Sequence, residues 1–327
     1  MNETILRGHY RSRGFQQAEA DRAVDDVRAL ETWLAERDLS LARASVDEIR
    51  SYIRLLIADG RNTLPCLLAL ARYFYLIDRK DVYLFFTSLL GGLGVIESIR
   101  DRVSETAGKE AADGIFESLE RPPLGSEPAD FPEFTSRLMA RLEARLPEST
   151  VRQALAGNNH GIPESAFDEE KQHYAAAACL DEYLADRHRR KVEELRGHAE
   201  TKTVWYEQII TPEVVDYVAS NQEILSAVRK DDTLFITKIP YDPAKYLAET
   251  DPVRKRYYAC HCPFVREAIL SGKPVLSPSW CYCSAGYAKF PFEVVLGRKL
   301  QVKLLACALA GDPVCRFAVS LKDDPPS

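Results

Sequence analysis

The residues best suited to chemistry are cysteines in two Cys-x-Cys pairs: Cys260/Cys262 in RYYACHCPFVREAIL and Cys281/Cys283 in PSWCYCSAGYAKF. Eighteen residues separate the pairs. Three kinds of chemistry fit. Four thiolates can close a tetrahedral zinc site or hold an iron–sulfur cluster, although zinc knuckles more often place two to four residues between ligands. A single low-pKa cysteine beside a histidine can act as a nucleophile. Cysteine also packs as a small apolar residue with no chemical role. That plainest reading suits Cys66, Cys179 and Cys307, which lie in apolar or alanine-rich runs. It suits the paired cysteines less well, because proline, tyrosine and tryptophan flank both pairs.

Cys262 is the strongest single candidate. Pro263 follows it, and FVREAIL has helical character. Proline is favoured at the first helical position, so Cys262 is expected at the N-cap. There the free amides and the positive end of the dipole lower a thiol pKa. His261 and Arg256 stand nearby as positive or proton-carrying groups, which makes Cys262 and His261 the candidate catalytic pair. Cys260 shares a face with Cys262 if the segment is extended. Tyr257, Tyr258, Trp280 and Tyr282 flank the thiols, and aromatic walls with a few polar groups are how small-molecule pockets are built. Lys238 and Tyr241, at the end of LFITKIPY, are expected at the pocket rim, and Cys315 arrives from a late hairpin.

The other histidines carry less. His160 in GNNHGIP reads as a solvated loop residue, with reach to a pocket as the alternative. His173, His188 and His198 lie on charged helical segments, and His188 has no partner at metal-binding spacing. The chain lacks a P-loop, G-x-G-x-x-G, H-E-x-x-H and G-x-S-x-G, so nucleotide, zincin and serine-hydrolase chemistry have no support in motif.

These residues need elements to position them. The chain has 327 residues, 46% of them hydrophobic and 28% charged, an ordinary globular composition with room for two domains. The net charge of −6 gives no general attraction to nucleic acid or anionic membrane. No apolar leader opens the chain, and the run Tyr83 to Ile96 is short and broken by glycine, so a cytoplasmic protein with reduced thiols is expected. Residues 1–120 read as a helical bundle. Ser45 and Glu48 form a capping box for the helix that follows, and Thr63 caps the next, with Pro65 in its first turn. Asp81 is the expected cap of a further helix. RPPLGSEPADFPEF, residues 121–134, is the expected linker. Residues 135–327 should form an α+β domain. Helices are expected over 134–146 and 168–199, with a strand at Leu234–Ile239, a helix ending near Pro291, and an antiparallel hairpin around Gly311-Asp312.

Residues Leu30 to Arg79 resemble the SAM-like core-binding domain of tyrosine recombinases, which clamps DNA in that family. Over residues 1–100, however, fourteen Lys/Arg balance fourteen Asp/Glu, whereas a DNA clamp should be basic. Protein packing, including a possible homodimer, is therefore expected of this part, with a DNA-binding regulator as the alternative. CPFVREAIL and WCYCSAGYAKF through the Gly311-Asp312-Pro313-Val314-Cys315 hairpin resemble L-2-amino-thiazoline-4-carboxylic acid hydrolase-like proteins and the vinyl-reductase-type ligand-binding domains. The resemblance implies an α+β domain with cysteines converging on an internal pocket for a small molecule. It implies hydrolase-type chemistry in one group, and in the other a pocket where some cysteines bind metal. In the hydrolase-like pattern an Asp follows the second cysteine; here Ser284, Ala285 and Gly286 stand there, so a carboxylate base must come from elsewhere.

Overall fold

A computed structural model of the chain describes residues 1–322. The fold is α+β: helices dominate, and the strands lie in the C-terminal part. Two compact units divide it, residues 1–91 with 122–127, and residues 92–121 with 128–327.

The first unit is helical: α1 (Glu3–Ser12), α2 (Gln17–Ala35), α3 (Val46–Ala58), α4 (Leu64–Leu76) and α5 (Lys80–Leu90). The Ser45/Glu48 capping box forms, and the Thr63 hydroxyl accepts from the Cys66 amide. Asp81 does not cap α5. Arg79 holds the cap position and ion-pairs with Asp81 at 2.8 Å. Cys66 is buried in this unit's core with Leu67, Leu70 and Phe74.

The second unit begins earlier than residue 135, because the helices before the proline-rich segment join its core. Val95, Ile96, Ile99 and Val103 of α6 (Val95–Ala107) and Ile115 of α7 (Lys109–Phe116) pack with Phe134, Leu138 and Leu142 of α8 (Pro132–Arg145). Residues 122–127 of the expected linker belong to the first unit, where Glu127 ion-pairs with Arg50 and Arg54. The span Lys80–Ala107 is long and apolar enough to cross a membrane by length and composition alone. Gly91 to Gly94 break it, with Gly94 at φ 74°, and its apolar residues enter two different cores.

α9 (Glu148–Leu155), α10 (Asp168–Ala176) and α11 (Leu180–Thr201) follow. On α11, His188 is half-buried and bonds the Val218 carbonyl at 2.9 Å rather than facing solvent. A short hairpin, β1 (Val204–Trp205) and β2 (Gln208–Ile209), leads to α12 (Pro212–Ala219). Then come β3 (Val228–Lys230), β4 (Thr233–Thr237), α13 (Pro243–Ala248), α14 (Pro252–Ala259), α15 (Arg266–Ser271), α16 (Tyr282–Leu296), β5 (Gln301–Ala306) and β6 (Arg316–Ser320). The sheet runs β3-β4-β6-β5, antiparallel throughout. Leu234, Ile236, Phe317 and Val319 turn one face into the core, as the period of two requires.

α16 carries Pro291 inside it instead of ending there. A mid-helix proline forfeits one backbone hydrogen bond. Burial of Phe290, Phe292, Val294 and Val295 on either side of it compensates.

Candidate functional site

Four short pieces of the second unit carry the site: the end of β4, the β1–β2 turn, the turn from Cys260 to Val265, and the first turns of α16. Each is held by contacts legible in the packing.

Lys238 follows β4, and its amide donates to the Cys315 carbonyl at 2.9 Å, which sets these two residues side by side. The β1–β2 hairpin is stapled to the same region, because the Gln208 amide donates to the Pro240 and Tyr241 carbonyls at 2.6 and 2.9 Å. Tyr206 takes the left-handed conformation at the hairpin turn, φ 51°. Glu207 follows it. The Cys262 turn is fixed from α8: the Thr135 hydroxyl donates to the buried Phe264 carbonyl at 3.0 Å. Phe131 and Trp280 both meet the Phe264 ring edge-on, at 5.2 and 5.5 Å between centroids.

The structure gathers six of the eight cysteines into one core: Cys260, Cys262, Cys281, Cys283, Cys307 and Cys315. The two Cys-x-Cys pairs do so differently. Cys260 has extended dihedrals, so Cys260 and Cys262 share a side of the chain. Cys281 caps α16 and Cys283 lies within it. Two helical steps rotate side chains by about 200°. Cys281 therefore pairs with Cys307, while Cys283 interacts with Cys262 and the Asn159 amide. Among the described residues no group of three or more His, Cys, Asp or Glu side chains is arranged to hold a metal ion. The quartet of Cys260, Cys262, Cys281 and Cys283 expected from spacing is not assembled, and the helical phase of the second pair is the reason.

Cys262 is not the N-cap of α15. A turn intervenes and Val265 caps the helix. The amides of Phe264 and Val265 still act on the Cys262 sulfur, and the Trp280 indole N–H donates to it at 3.2 Å. The expected low pKa is nevertheless corrected: burial outweighs these donors and the Lys238 charge, and pushes the thiol above its ordinary value. Burial likewise raises Cys283, to about 12, and Cys315.

His261 does not serve Cys262. Its Nε2 bonds the Ile239 carbonyl at 2.6 Å and its ring stands edge-on to Tyr241. Burial holds it neutral, well below the ordinary histidine range. Arg256 is also diverted, donating to the Ala308 carbonyl at 3.2 Å. Of the expected pocket residues, Lys238, Tyr241, Trp280 and Cys315 join the Cys262 group, and Tyr257 lies against Arg266. Tyr258 and Tyr282 face elsewhere, toward Lys245 and Arg152.

Lys238 is the electrostatic centre. Its ammonium donates to the Ser284 hydroxyl at 3.0 Å and lies 4.9 Å from the Tyr287 ring centroid. It acts on His160, Glu207, His261, Cys262, Cys283 and Cys315. His160 meets the Tyr287 ring edge-on at 5.2 Å. Gly286 allows this: a Cβ there would lie 2.4 Å from the Gly157 carbonyl oxygen, so only glycine lets the Asn159–His160 loop rest on α16.

This wall reaches the surface. Tyr287 is 42% exposed and His160 is also exposed. Yet surrounding protein raises the Tyr287 hydroxyl and lowers His160 to about 4, burial being the largest cause in each. Burial raises the Glu207 carboxyl as well, against the opposing charges of Arg266 and Lys238.

Sequence reasoning missed Glu207, Arg266, Ser284 and Tyr287. The one available signal was on α16, where Cys283, Ser284 and Tyr287 recur at helical spacing.

Residues 229–325 match the model of a family described as a family of unknown function, DUF6144. The match spans Lys238, the cysteine core, Arg266 and α16, and leaves out His160 and Glu207. Neither the curated proteins nor the solved structures contain a match to the chain.

Proposed function

We propose that the second unit is a small-molecule-binding domain whose ligand is transformed at the Cys262 sulfur in a hydrolase-type reaction. The observation that carries this reading is the setting of that sulfur. It is partly accessible, takes the Trp280 N–H at 3.2 Å together with two backbone amides, and feels the Lys238 charge. A neutral thiol gains little from such donors, whereas a thiolate, or a sulfur passing through one, gains a great deal. The ligand-free thiol stays protonated because the protein around it disfavours the charged form. Its ionisation is thereby tied to what enters the pocket. The proton leaves by a group other than His261, whose Nε2 is engaged with Ile239. Glu207 is the carboxylate on the same wall, in place of the acid missing after Cys283.

The test is cysteine-resolved alkylation of the folded chain. Cys179 is exposed, so Cys179→Ser removes the background. Iodoacetamide followed by peptide mass mapping should then modify Cys262 first among the remaining cysteines, and Cys262→Ser should remove that reaction. Labelling of Cys262 no faster than of Cys66, and only on global unfolding, would overturn the reading.

A further inference from the structure

Arg266 is 7% exposed, yet among the described residues no carboxylate stands within hydrogen-bond range of it. Its guanidinium carbon lies 4.3 Å from the Tyr241 ring centroid and 5.2 Å from that of Tyr257. Two aromatic rings thus pack against the guanidinium. Nε is sealed from solvent and has no partner. The nearest carboxylate oxygen, Glu267 Oε1, stands 3.9 Å from Nε and already accepts the Tyr257 hydroxyl at 2.8 Å. Tyr241 offers the guanidinium a hydroxyl, which is no counter-charge. Two other guanidiniums of this unit are matched by carboxylates: Arg316 grips Glu223 at 2.7 and 2.6 Å, and Arg190 pairs with Glu170 and Asp186. A buried cation without a matched anion is costly, and fold stability alone gives no reason to keep it.

We propose that Arg266 is an anion anchor, and that the Nη end of its guanidinium takes a carboxylate of the small molecule bound by this unit. The proposal rests on the pocket reading above and names its ligand class. A planar two-oxygen group fits a guanidinium edge in bidentate fashion. Two oxygens in one plane match the planar N–H groups better than the tetrahedral oxygens of phosphate do. Lys238 supplies a second positive charge that acts on the same pocket groups as Arg266, namely Glu207 and His261. No hydrogen bond joins Glu207 to either cation, so Glu207 does not occupy the Nη end of Arg266.

Isosteric pairs decide the matter on the full-length wild-type chain. Acetate is compared with acetamide, and benzoate with benzamide, with inorganic phosphate as a further arm. Binding is read by the shift in unfolding temperature and by slowing of Cys262 alkylation. The acids should bind about tenfold or more tighter than their amides, the worth of one charge-assisted contact, and phosphate should bind more weakly than the acids. Arg266→Met should erase the preference and Arg266→Lys should keep part of it. The wild-type pairs alone decide if Arg266→Met does not fold. Equal protection by acid and amide would overturn the anchor and leave the pocket standing. Preference for phosphate over the acids would overturn the carboxylate assignment. No protection by any probe, with Cys262 inert to alkylation, would sink the pocket reading and the anchor with it.

Discussion

The Trp280 indole N–H donates to the Cys262 sulfur at 3.2 Å, from a side chain with no exposed surface. This bond joins the two cysteine-bearing segments, and it works against burial in setting the thiol pKa. Trp280→Phe keeps an aromatic ring beside Phe264 and removes the donor. The thiol pKa should rise further. Cys262 alkylation at neutral pH should slow roughly tenfold, as expected for the loss of one hydrogen bond to a charged group. Alkylation rates measured across pH check this. An unchanged rate in a destabilised protein would mean that Trp280 serves packing alone.

Gly286 controls whether His160 belongs to the site. An added methyl would lie 2.4 Å from the Gly157 oxygen and 2.5 Å from the Ala156 carbonyl carbon, and these backbone atoms cannot rotate away. Gly286→Ala should destabilise the chain by about 1–3 kcal/mol, the usual cost of overpacking. It should also lift the loop, so that His160 titrates closer to an ordinary histidine. Urea denaturation and proton NMR of the histidine ring measure the two effects separately.

The parts of the fold with local signals were legible. The capping box at Ser45, the Thr63 cap and the antiparallel β5–β6 hairpin each follow from residues adjacent in sequence. The gathering of cysteines was legible too, though not its geometry. Cys-x-Cys puts two thiols on one side of an extended chain and on different sides of a helix, and composition alone does not say which backbone each pair adopts. Arg266 and Glu207 were hidden for another reason. Arg266 reads as a polar residue of a short helix, and only the Tyr241 and Tyr257 rings make its burial evident. Glu207 precedes Lys238 by more than thirty residues, and only the Gln208 staple brings its hairpin to the site. The unit boundary at Gly91 was masked because apolar residues continue on both sides of the glycines and divide between two cores.

His261 gives the fold an acid-sensitive element. Burial is the largest cause of its lowered pKa, so the folded chain resists protonating it while the unfolded chain accepts a proton near pH 6.5. Stability from this residue is therefore present above about pH 6.5 and is lost as pH falls below it. Glu207, raised by burial, works in the opposite sense. The isolating comparison is His261→Gln, whose amide can still donate to the Ile239 carbonyl. Between pH 6.5 and 5 the variant should lose stability less steeply, by about one proton in the linkage slope. Denaturation midpoints at half-unit pH steps check this, and parallel slopes would contradict it.

Lys289 and Glu293 close α16 onto the start of β5. Lys289 Nζ donates to Glu293 Oε1 at 2.5 Å and to the Leu300 carbonyl at 3.0 Å, while Glu293 Oε1 accepts the Leu300 amide at 2.9 Å. Both side chains are buried. Lys289→Met deletes the cation and leaves the Glu293 carboxylate without its partner, which should destabilise the chain by about 3–5 kcal/mol at pH 7. Lys289→Met with Glu293→Gln removes the charge and keeps an acceptor for the Leu300 amide. The double variant should therefore be more stable than the single one, because an unpaired buried charge costs more than a neutral amide. Urea denaturation of the three proteins measures the coupling. Because α16 also presents Cys283, Ser284 and Tyr287, the single variant should lose its selective Cys262 alkylation before the whole chain unfolds. Loss of both at the same urea concentration would instead show that the pocket and the helix end melt as one unit.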